Sequence, residues 1–261
     1  FPFFINHAKA RRWLFILGSI QLGIIMIIRV FFAFPSLSPI ELEPHVSQQW
    51  IPDLKKNTEG KPVVFVNSYR NASLYNFYTG IETHSYSILK GRKSQYNLNK
   101  FEDNIQGKDI YSATQYVKNQ PKLANRYSSY IYGKKIDNYR TFEKVQCFID
   151  SEELSFSSGL NEFEFTLINT YNKNITFDHV RLYGVFQGYK NKIIAKVPLK
   201  MEGLVRINPN EQKIINATFE MPLLSEYETI NFRVALEFYN LMEGFQGNKV
   251  PVIMINQSTN E

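Results

Sequence analysis

Cysteine is nearly absent from this chain. Of 261 residues only Cys147 is one, which excludes an intramolecular disulfide framework and a multi-cysteine metal site. It sits in VQCFI, a strand-like apolar run, where a buried and unreactive thiol is expected. Histidine is scarce as well. His7, His45, His84 and His179 are far apart and lack metal-ligand spacing, so each reads as solvent-facing or internally satisfied. No glycine-rich phosphate loop, no GxSxG and no HExxH occurs, which removes the NTPases, serine hydrolases and zinc proteases that those motifs mark. Glu102-Asp103 and Glu152-Glu153 are adjacent carboxylates. Neighbours on one element do not face a common point, so both pairs read as solvated faces rather than acid–base pairs. A basic stripe is also missing. Net charge is +6, from 30 Lys and Arg against 24 Asp and Glu, but the two signs interleave, which argues against nucleic acid as a partner. No cofactor is expected in this chain.

What the chain does have is one long apolar run and many aromatics, 16 Tyr and 21 Phe. Residues 13–34 read WLFILGSIQLGIIMIIRVFFAF, long enough as a helix to cross a hydrocarbon core of about 30 Å. Arg29 lies near one end, where its side chain can reach the interface. The run is longer than the apolar part of a signal peptide and lacks a small-residue cleavage site. Lys9, Arg11 and Arg12 precede it, while Glu41 and Glu43 follow. By the positive-inside rule the first flank is cytoplasmic and residues from about 36 onward are periplasmic, with the span in the inner membrane. The chain begins at Phe1 rather than Met, and FPFFINHA reads as the tail of an earlier element, so a fragment of a longer protein is expected.

Three parts follow from the pattern: residues 1–36 with the span and its cytoplasmic flank, 37–150 as a small exported α/β domain, and 151–261 as an antiparallel β-sandwich. In the second, a helix is expected over about 44–56, followed by the buried strand PVVFVNS. ASLYNFYTG reads as a short helix capped by Asn71 or Ser73 and stopped by Gly80. ETHSYSI is a second strand, and LNKFEDNIQGKDIYSAT a helix, a glycine cap and a third strand. SSYIYGKKIDNYRTFEKVQCFID closes the region as a hairpin-like pair. Beyond 151, runs such as FEFTLINTY, VRLYGVFQ and INFRVALEFYN alternate apolar and polar residues between Asn/Gly/Pro turns. That predicts an immunoglobulin-like sandwich without its disulfide.

Residues 63–80, VVFVNSYRNASLYNFYTG, set a polar turn directly after an apolar strand. A turn at the carboxyl end of a parallel strand, opening a helix, is where open α/β sheets bind ligands, and its N–H groups can receive an anion. Asn67, Ser68, Arg70 and Ser73 offer polar groups there; Tyr69, Tyr75 and Tyr78 offer flat faces to a sugar or a lipid headgroup. The competing reading makes Tyr75 and Tyr78 core aromatics and Asn67 a turn residue.

KPVVFVNSYRNASLYNFYTG, then YNLNKFEDNIQGKDIY and KKIDNYRTFEKVQ, resemble the carboxy-terminal part of bacterial family 39 glycosyltransferases, with Bacteroidetes members most alike. These membrane enzymes are related to protein mannosyltransferases and to the aminoarabinose transferase of lipid A. The resemblance covers roughly residues 1–150; NSY..ASLY.FYTG is its most specific phrase. It implies transfer of a sugar from a polyprenyl-phosphate donor to a glycan, lipid or protein acceptor, by an enzyme whose last span runs into a soluble periplasmic domain. The family's catalytic carboxylate lies in a first exported loop that this sequence does not contain, so no residue here inherits that role. The resemblance implies instead that the turn at 67–70 and the helix after it face the membrane cavity and assist substrate recognition. A different class of function stays open: a single-span, membrane-tethered binding module that engages a glycan or protein. Tyr183, Phe186, Tyr189 and Phe238 would then be either its binding surface or core packing.

Overall fold

The computed structural model describes residues 8–40, 43–91, 93–98, 101–126, 129–201, 206–224 and 230–255. The apolar stretch at 1–7 lies outside them. Helix α1, Ala8–Ala33, contains the long apolar run and has no buried residue. Its 26 residues extend about 39 Å at 1.5 Å per residue. It is long and apolar enough to cross a membrane, and a helix apolar all round has no water-facing side to present.

The next part packs helices against a small sheet. Helix α2, Glu43–Asn57, precedes strand β1, Val63–Val66, and helix α3, Tyr69–Thr79, leads to β2, Thr83–Tyr86. Short helices α4, Gln95–Leu98, and α5, Phe101–Ile105, lead to β3, Ile110–Ala113. A hairpin, β4 (Lys122–Arg126) with β5 (Ser129–Tyr132), comes before the two-residue β6, Lys135–Ile136. The sheet order is β2-β1-β3-β6. β1 runs parallel to both β2 and β3, and β6 is antiparallel. All four residues of β1 are buried, because both faces of the strand are covered. Val63 and Phe65 pack with Trp50 of α2 and Tyr75 of α3, while Val64 and Val66 join the core on the opposite side. Gly80 stops α3 in the left-handed region, φ 68°, with its N–H donating to Asn76 O at 2.8 Å, as glycine at that position does.

Two local expectations need correction. The N-cap of α3 is Ser68, without a side-chain capping bond; Asn71 and Ser73 lie inside the helix, within about the first turn after its start at Tyr69. The hairpin-like pairing within SSYIYGKKIDNYRTFEKVQCFID does not form. Its first strand, β5, turns back onto β4, and its last strand pairs with the sandwich.

That last strand is β7, Gln146–Phe148, followed by β8 (Leu154–Ser157), β9 (Leu160–Ile168), β10 (Ile175–Thr176), β11 (Val180–Gln187) and β12 (Ile193–Pro198). Then come β13 (Lys200–Met201), β14 (Arg206–Ile207), β15 (Gln212–Glu220), β16 (Asn231–Phe238) and β17 (Val250–Ile255). A five-stranded sheet, β12-β11-β16-β17-β8, lies against a four-stranded one, β13-β15-β9-β7. Along β9, Phe163, Phe165 and Leu167 are buried and Glu162 and Glu164 exposed, the period of two expected of a strand with one wet face. The sheets meet on phenylalanine. Phe156 of β8 sits 4.9 Å from Phe219, 5.3 Å from Phe232, 6.2 Å from Phe186 and 6.3 Å from Phe163, ring centre to ring centre. Those four rings come from β15, β16, β11 and β9, so one side chain bridges both layers edge-on.

The small parallel sheet closes onto this sandwich. Val64, Val66, Tyr86 and Ile88 belong to the same buried cluster as Phe142, Phe238 and Leu236. Tyr86 donates its hydroxyl hydrogen to Met242 O at 2.8 Å and meets Phe238 edge-on at 6.2 Å. The core is therefore continuous from the parallel strands into the sandwich.

Candidate functional site

At the end of β1 the chain turns sharply. Asn67 takes φ 54°, a left-handed conformation that Asn tolerates better than most residues. Its N–H donates to Tyr86 O at 2.7 Å and its side-chain amide to the Tyr116 hydroxyl at 3.1 Å. Gly91 packs directly on that side chain; a Cβ there would stand 1.7 Å from Asn67 Oδ1, so a larger residue would push the Asn67 amide aside. Asn67 and Ser68 are half-buried, and Tyr69 and Arg70 lie exposed beside them. A shallow depression of about 310 Å³ is lined by Asn67, Tyr69, Ser85, Ser87, Lys90 and Gly91. Ser73 is half-buried, its Oγ 3.3 Å from the Tyr96 hydroxyl.

The three tyrosines separate. Tyr69 is 56% exposed at the turn. Tyr78 is 45% exposed further along α3, edge-on to Phe77 at 5.2 Å. Tyr75 is fully buried, stacked on Trp50 at 6.4 Å and tilted against Phe65 at 5.8 Å, its hydroxyl 3.3 Å from Thr58 Oγ1. The helical period explains the split: Asn71, Ala72 and Tyr75 form the inward stripe. Tyr75 has no face to offer a ligand. In the sandwich, Phe186 and Phe238 are likewise core residues, whereas Tyr189 is exposed.

A second and larger concavity lies where the parallel sheet meets the sandwich. This cleft of about 490 Å³ is lined by residues from both parts. Its floor holds an ionisable cluster that joins them. His84 of β2, wholly buried, hydrogen-bonds through Nε2 to Glu143 Oε1. The other Glu143 oxygen accepts from the Asn97 amide at 3.0 Å, and Asn97 Oδ1 in turn accepts from Ser87 Oγ at 2.7 Å. Glu102 of α5, buried as well, accepts from the Glu143 N–H at 3.0 Å, the Thr141 hydroxyl at 3.0 Å and, on its other oxygen, the Tyr171 hydroxyl at 2.7 Å. Tyr171 belongs to the sandwich side, so Glu102 ties one part to the other.

Burial, reinforced by the nearby Glu143 carboxylate, pushes Glu102 up to about 7, while the Glu143 N–H, the Tyr171 hydroxyl and His84 pull the other way. For His84, burial disfavours the imidazolium, but the attraction of Glu143 outweighs it and the net shift is upward. Tyr171 is raised by burial and by the Glu102 charge. The Glu102 carboxyl can therefore hold a proton near neutral pH. Among the described residues no group of three His, Cys, Asp or Glu is arranged to hold a metal.

None of this was visible in the spacing of residues. His84 and Glu143 are separated by 59 positions, and Glu102, expected on a solvated face, is buried instead. Its neighbour Asp103 takes the exposed position, which is how one helical turn sorts adjacent carboxylates. The only hint was ETHSYSI itself, a strand whose polar residues could not all face water. Cys147 also lines the cleft but is buried, and burial pushes its thiol well above the ordinary range. A thiol held protonated is a poor nucleophile. Cys147 should stay unmodified by a water-soluble disulfide reagent at neutral pH until denaturant is added; prompt labelling of the native chain would contradict its burial.

No protein-family model and no curated protein matches the chain. Solved structures align only in part. The CARDB domain of the PF1109 protein from Pyrococcus furiosus shares 12% identity over 44% of this chain and 100% of that one, with a TM-score of 0.26. A PapD-like domain of human CEP192 shares 10% over 47% of this chain and 94% of that one, with a TM-score of 0.24. An alkylpurine DNA glycosylase from Pseudomonas fluorescens shares 10% over 42% of this chain, with a TM-score of 0.27; the aligned part spans 30% of the glycosylase. At those scores the likenesses carry nothing about activity.

Proposed function

We propose that this chain is the substrate-recognising, extracytoplasmic part of a membrane glycosyltransferase of the family 39 kind. In this reading the enzyme takes a sugar from a polyprenyl-phosphate donor and passes it to a glycan, lipid or protein acceptor. Helix α1 is its span in the inner membrane. The α/β part and the immunoglobulin-like sandwich stand together on the periplasmic side. The observation that carries the proposal is the fold of NSYRNASLYNFYTG, the stretch with the most specific resemblance. Directly after β1 it forms a polar turn and a helix that set half-buried Asn67 and Ser68 beside exposed Tyr69 and Arg70. Catalysis belongs to a loop outside this sequence, so the role here is positioning. Remote contacts of that kind raise turnover by orienting substrate.

Membranes carrying the full gene product, supplied with labelled polyprenyl-phosphate sugar, provide the test. Tyr69→Ala and Arg70→Ala should each lower turnover about tenfold, the effect of roughly 1.4 kcal/mol of lost transition-state stabilisation, with expression unchanged. Wild-type turnover in both variants would remove the turn from substrate recognition. Tyr75→Ala is not informative here, because that side chain is core.

One observation favours the tethered binding module instead: the larger concavity is built entirely from this chain's own residues. The two readings separate on the number of hydrophobic spans encoded by the complete gene, which the transferase requires to be many.

A further inference from the structure

The parallel sheet has two unlike ends. At the amino ends of β1, β2 and β3, acids and bases pair: Lys61 with Glu59 and Asp109, Lys108 with Glu82, and Lys135 with Asp109 and Asp137. The carboxyl end joins three segments. Tyr116, just after β3, accepts at its hydroxyl from the Asn67 amide of the turn after β1, at 3.1 Å. Gln115 donates to Ser129 Oγ at 3.3 Å, where β5 begins. Segments 67–70, 114–119 and 125–130 contain no Asp or Glu, but they include Arg70, Lys118 and Arg126. With these cations stand Tyr69, Tyr116 and Tyr130, which are 56%, 54% and 39% exposed.

We infer that this carboxyl end is seated on the headgroup layer of the bilayer that α1 crosses, with anionic phospholipid as its partner. The geometry of α2 sets the direction. Asn57, at the end of that helix, donates to Leu123 O at 2.7 Å. The Arg126 guanidinium lies over the ring of Trp50, about two turns earlier in α2, at 5.9 Å. The β4–β5 hairpin therefore runs along α2 toward the first turn of the helix and brings the tyrosine edge to that end. The same turn is the one the chain reaches from the membrane: from Ala33 to Glu43 it can extend at most about 35 Å. The chemistry agrees. Tyrosine collects at membrane–water interfaces, where its ring meets apolar surface and its hydroxyl meets water. Arg and Lys beside it lay their stems on that surface and keep their charge among phosphates, and anionic lipid attracts them. The apolar face of a partner protein would strip water from the same cations at a cost. The amino end gains nothing comparable, because an anionic surface repels its acids. Phe77 and Tyr78 are exposed as well, but they stand at the far end of α3, where the chain turns to Glu82 on the ion-paired side. The seat needs only the span α1. Tyr69 and Arg70 also belong to the turn assigned to substrate recognition, so the test leaves both in place.

The test places the full chain in nanodiscs of phosphatidylcholine and phosphatidylglycerol, doped with a lipid that carries gadolinium on its headgroup. A nitroxide is attached at Ser129→Cys on the hairpin or at Asp137→Cys on the amino end, both exposed positions. Cys147 is buried and stays unlabelled. Relaxation of the nitroxide by gadolinium reads its distance from the headgroups. The Ser129→Cys label should relax several-fold faster than the Asp137→Cys label. Adding Tyr116→Ser together with Tyr130→Ser, or replacing phosphatidylglycerol by phosphatidylcholine, should each cut the Ser129→Cys enhancement by about half, because each removes part of what holds the edge down. The inference falls if the two labels relax alike, if Asp137→Cys is the nearer to the headgroups, or if the Ser129→Cys enhancement survives both changes undiminished. Sugar transfer does not enter the measurement, so this seat and the transferase reading fail separately.

Discussion

Phe156→Ala should destabilise the folded part of the chain by about 3–5 kcal/mol, the usual cost of deleting a fully packed phenylalanine. The ring is 2% exposed and touches four others drawn from both sheets. Its removal leaves a cavity that neither sheet can fill alone, since each is held by its own hydrogen-bond ladder. For a domain with about 5–15 kcal/mol of total stability, that loss is a large fraction. The effect should not stop at the sandwich. Because Val64, Val66 and Tyr86 share the same buried cluster, backbone amides of β1 and β2 should exchange faster in the variant. Phe77→Ala is the control: that ring is 78% exposed on α3, and its loss should fall within about 0.5 kcal/mol of neutral. Denaturant titration of the detergent-solubilised chain with hydrogen exchange reads both. A Phe156→Ala loss under about 1 kcal/mol would mean that the two sheets do not depend on this ring.

The joint should also be more stable in mild acid than in mild base. Glu102 titrates near 7 when folded against 4.5 for the free side chain. A carboxyl whose folded pKa is raised binds its proton more tightly in the native state. Its contribution is thus full below the unfolded value and disappears as pH rises through about 7. The displacement corresponds to about 3 kcal/mol at most. His84 acts in the same direction. Its folded pKa is also raised, so its contribution is present below the unfolded value of 6.5 and is lost as pH climbs past the folded one. Glu143 acts on both groups, Lys144 on His84 and Tyr171 on Glu102. Glu102→Gln keeps an acceptor for Thr141 and the Glu143 N–H, yet carries no charge. It should flatten the pH dependence and raise stability near pH 8. Glu102→Ala should instead destabilise at every pH, because it strands the Tyr171 and Thr141 hydroxyls. Unfolding curves for the three proteins from about pH 5 to pH 8 decide the matter; a Glu102→Gln profile that tracks wild type would assign the pH response elsewhere.

Periodicity carried most of the fold because it is a local property. β1 announced itself as four apolar residues, β9 as strict alternation, α3 as an aromatic stripe closed by Gly80. The apolar helix was evident from length and composition alone. What stayed hidden were contacts whose partners are distant in sequence. β5 turns back on β4 rather than forward, a choice fixed by tertiary packing and not by the strand's own residues. Core packing was the competing reading for Tyr75 and Tyr78 alike, and only the direction of the inward stripe sends Tyr75 to Trp50 and leaves Tyr78 in solvent. The His84–Glu143–Glu102 cluster is the extreme case. Its members come from a strand, a short helix and a loop, and no spacing rule connects them.

The pairing of β8 with β17 has a consequence for how the molecule is made. Leu154 lies opposite Val252, and Ser157 opposite Ile255, so the strand that carries Phe156 waits for a partner about a hundred residues downstream. Closing a loop of that length costs entropy before any contact repays it, and folds dominated by such distant pairings assemble slowly. While the chain is still on the ribosome, β8 has an open edge and its central phenylalanine has neighbours on only some sides. The parallel strands β1, β2 and β3 can pair within the first half of synthesis, but the inner faces of their side chains remain uncovered until the last strand arrives. A nascent chain stalled before Val250 should therefore be sensitive to protease throughout, the early strands included, and should become resistant in a single step once β17 is released.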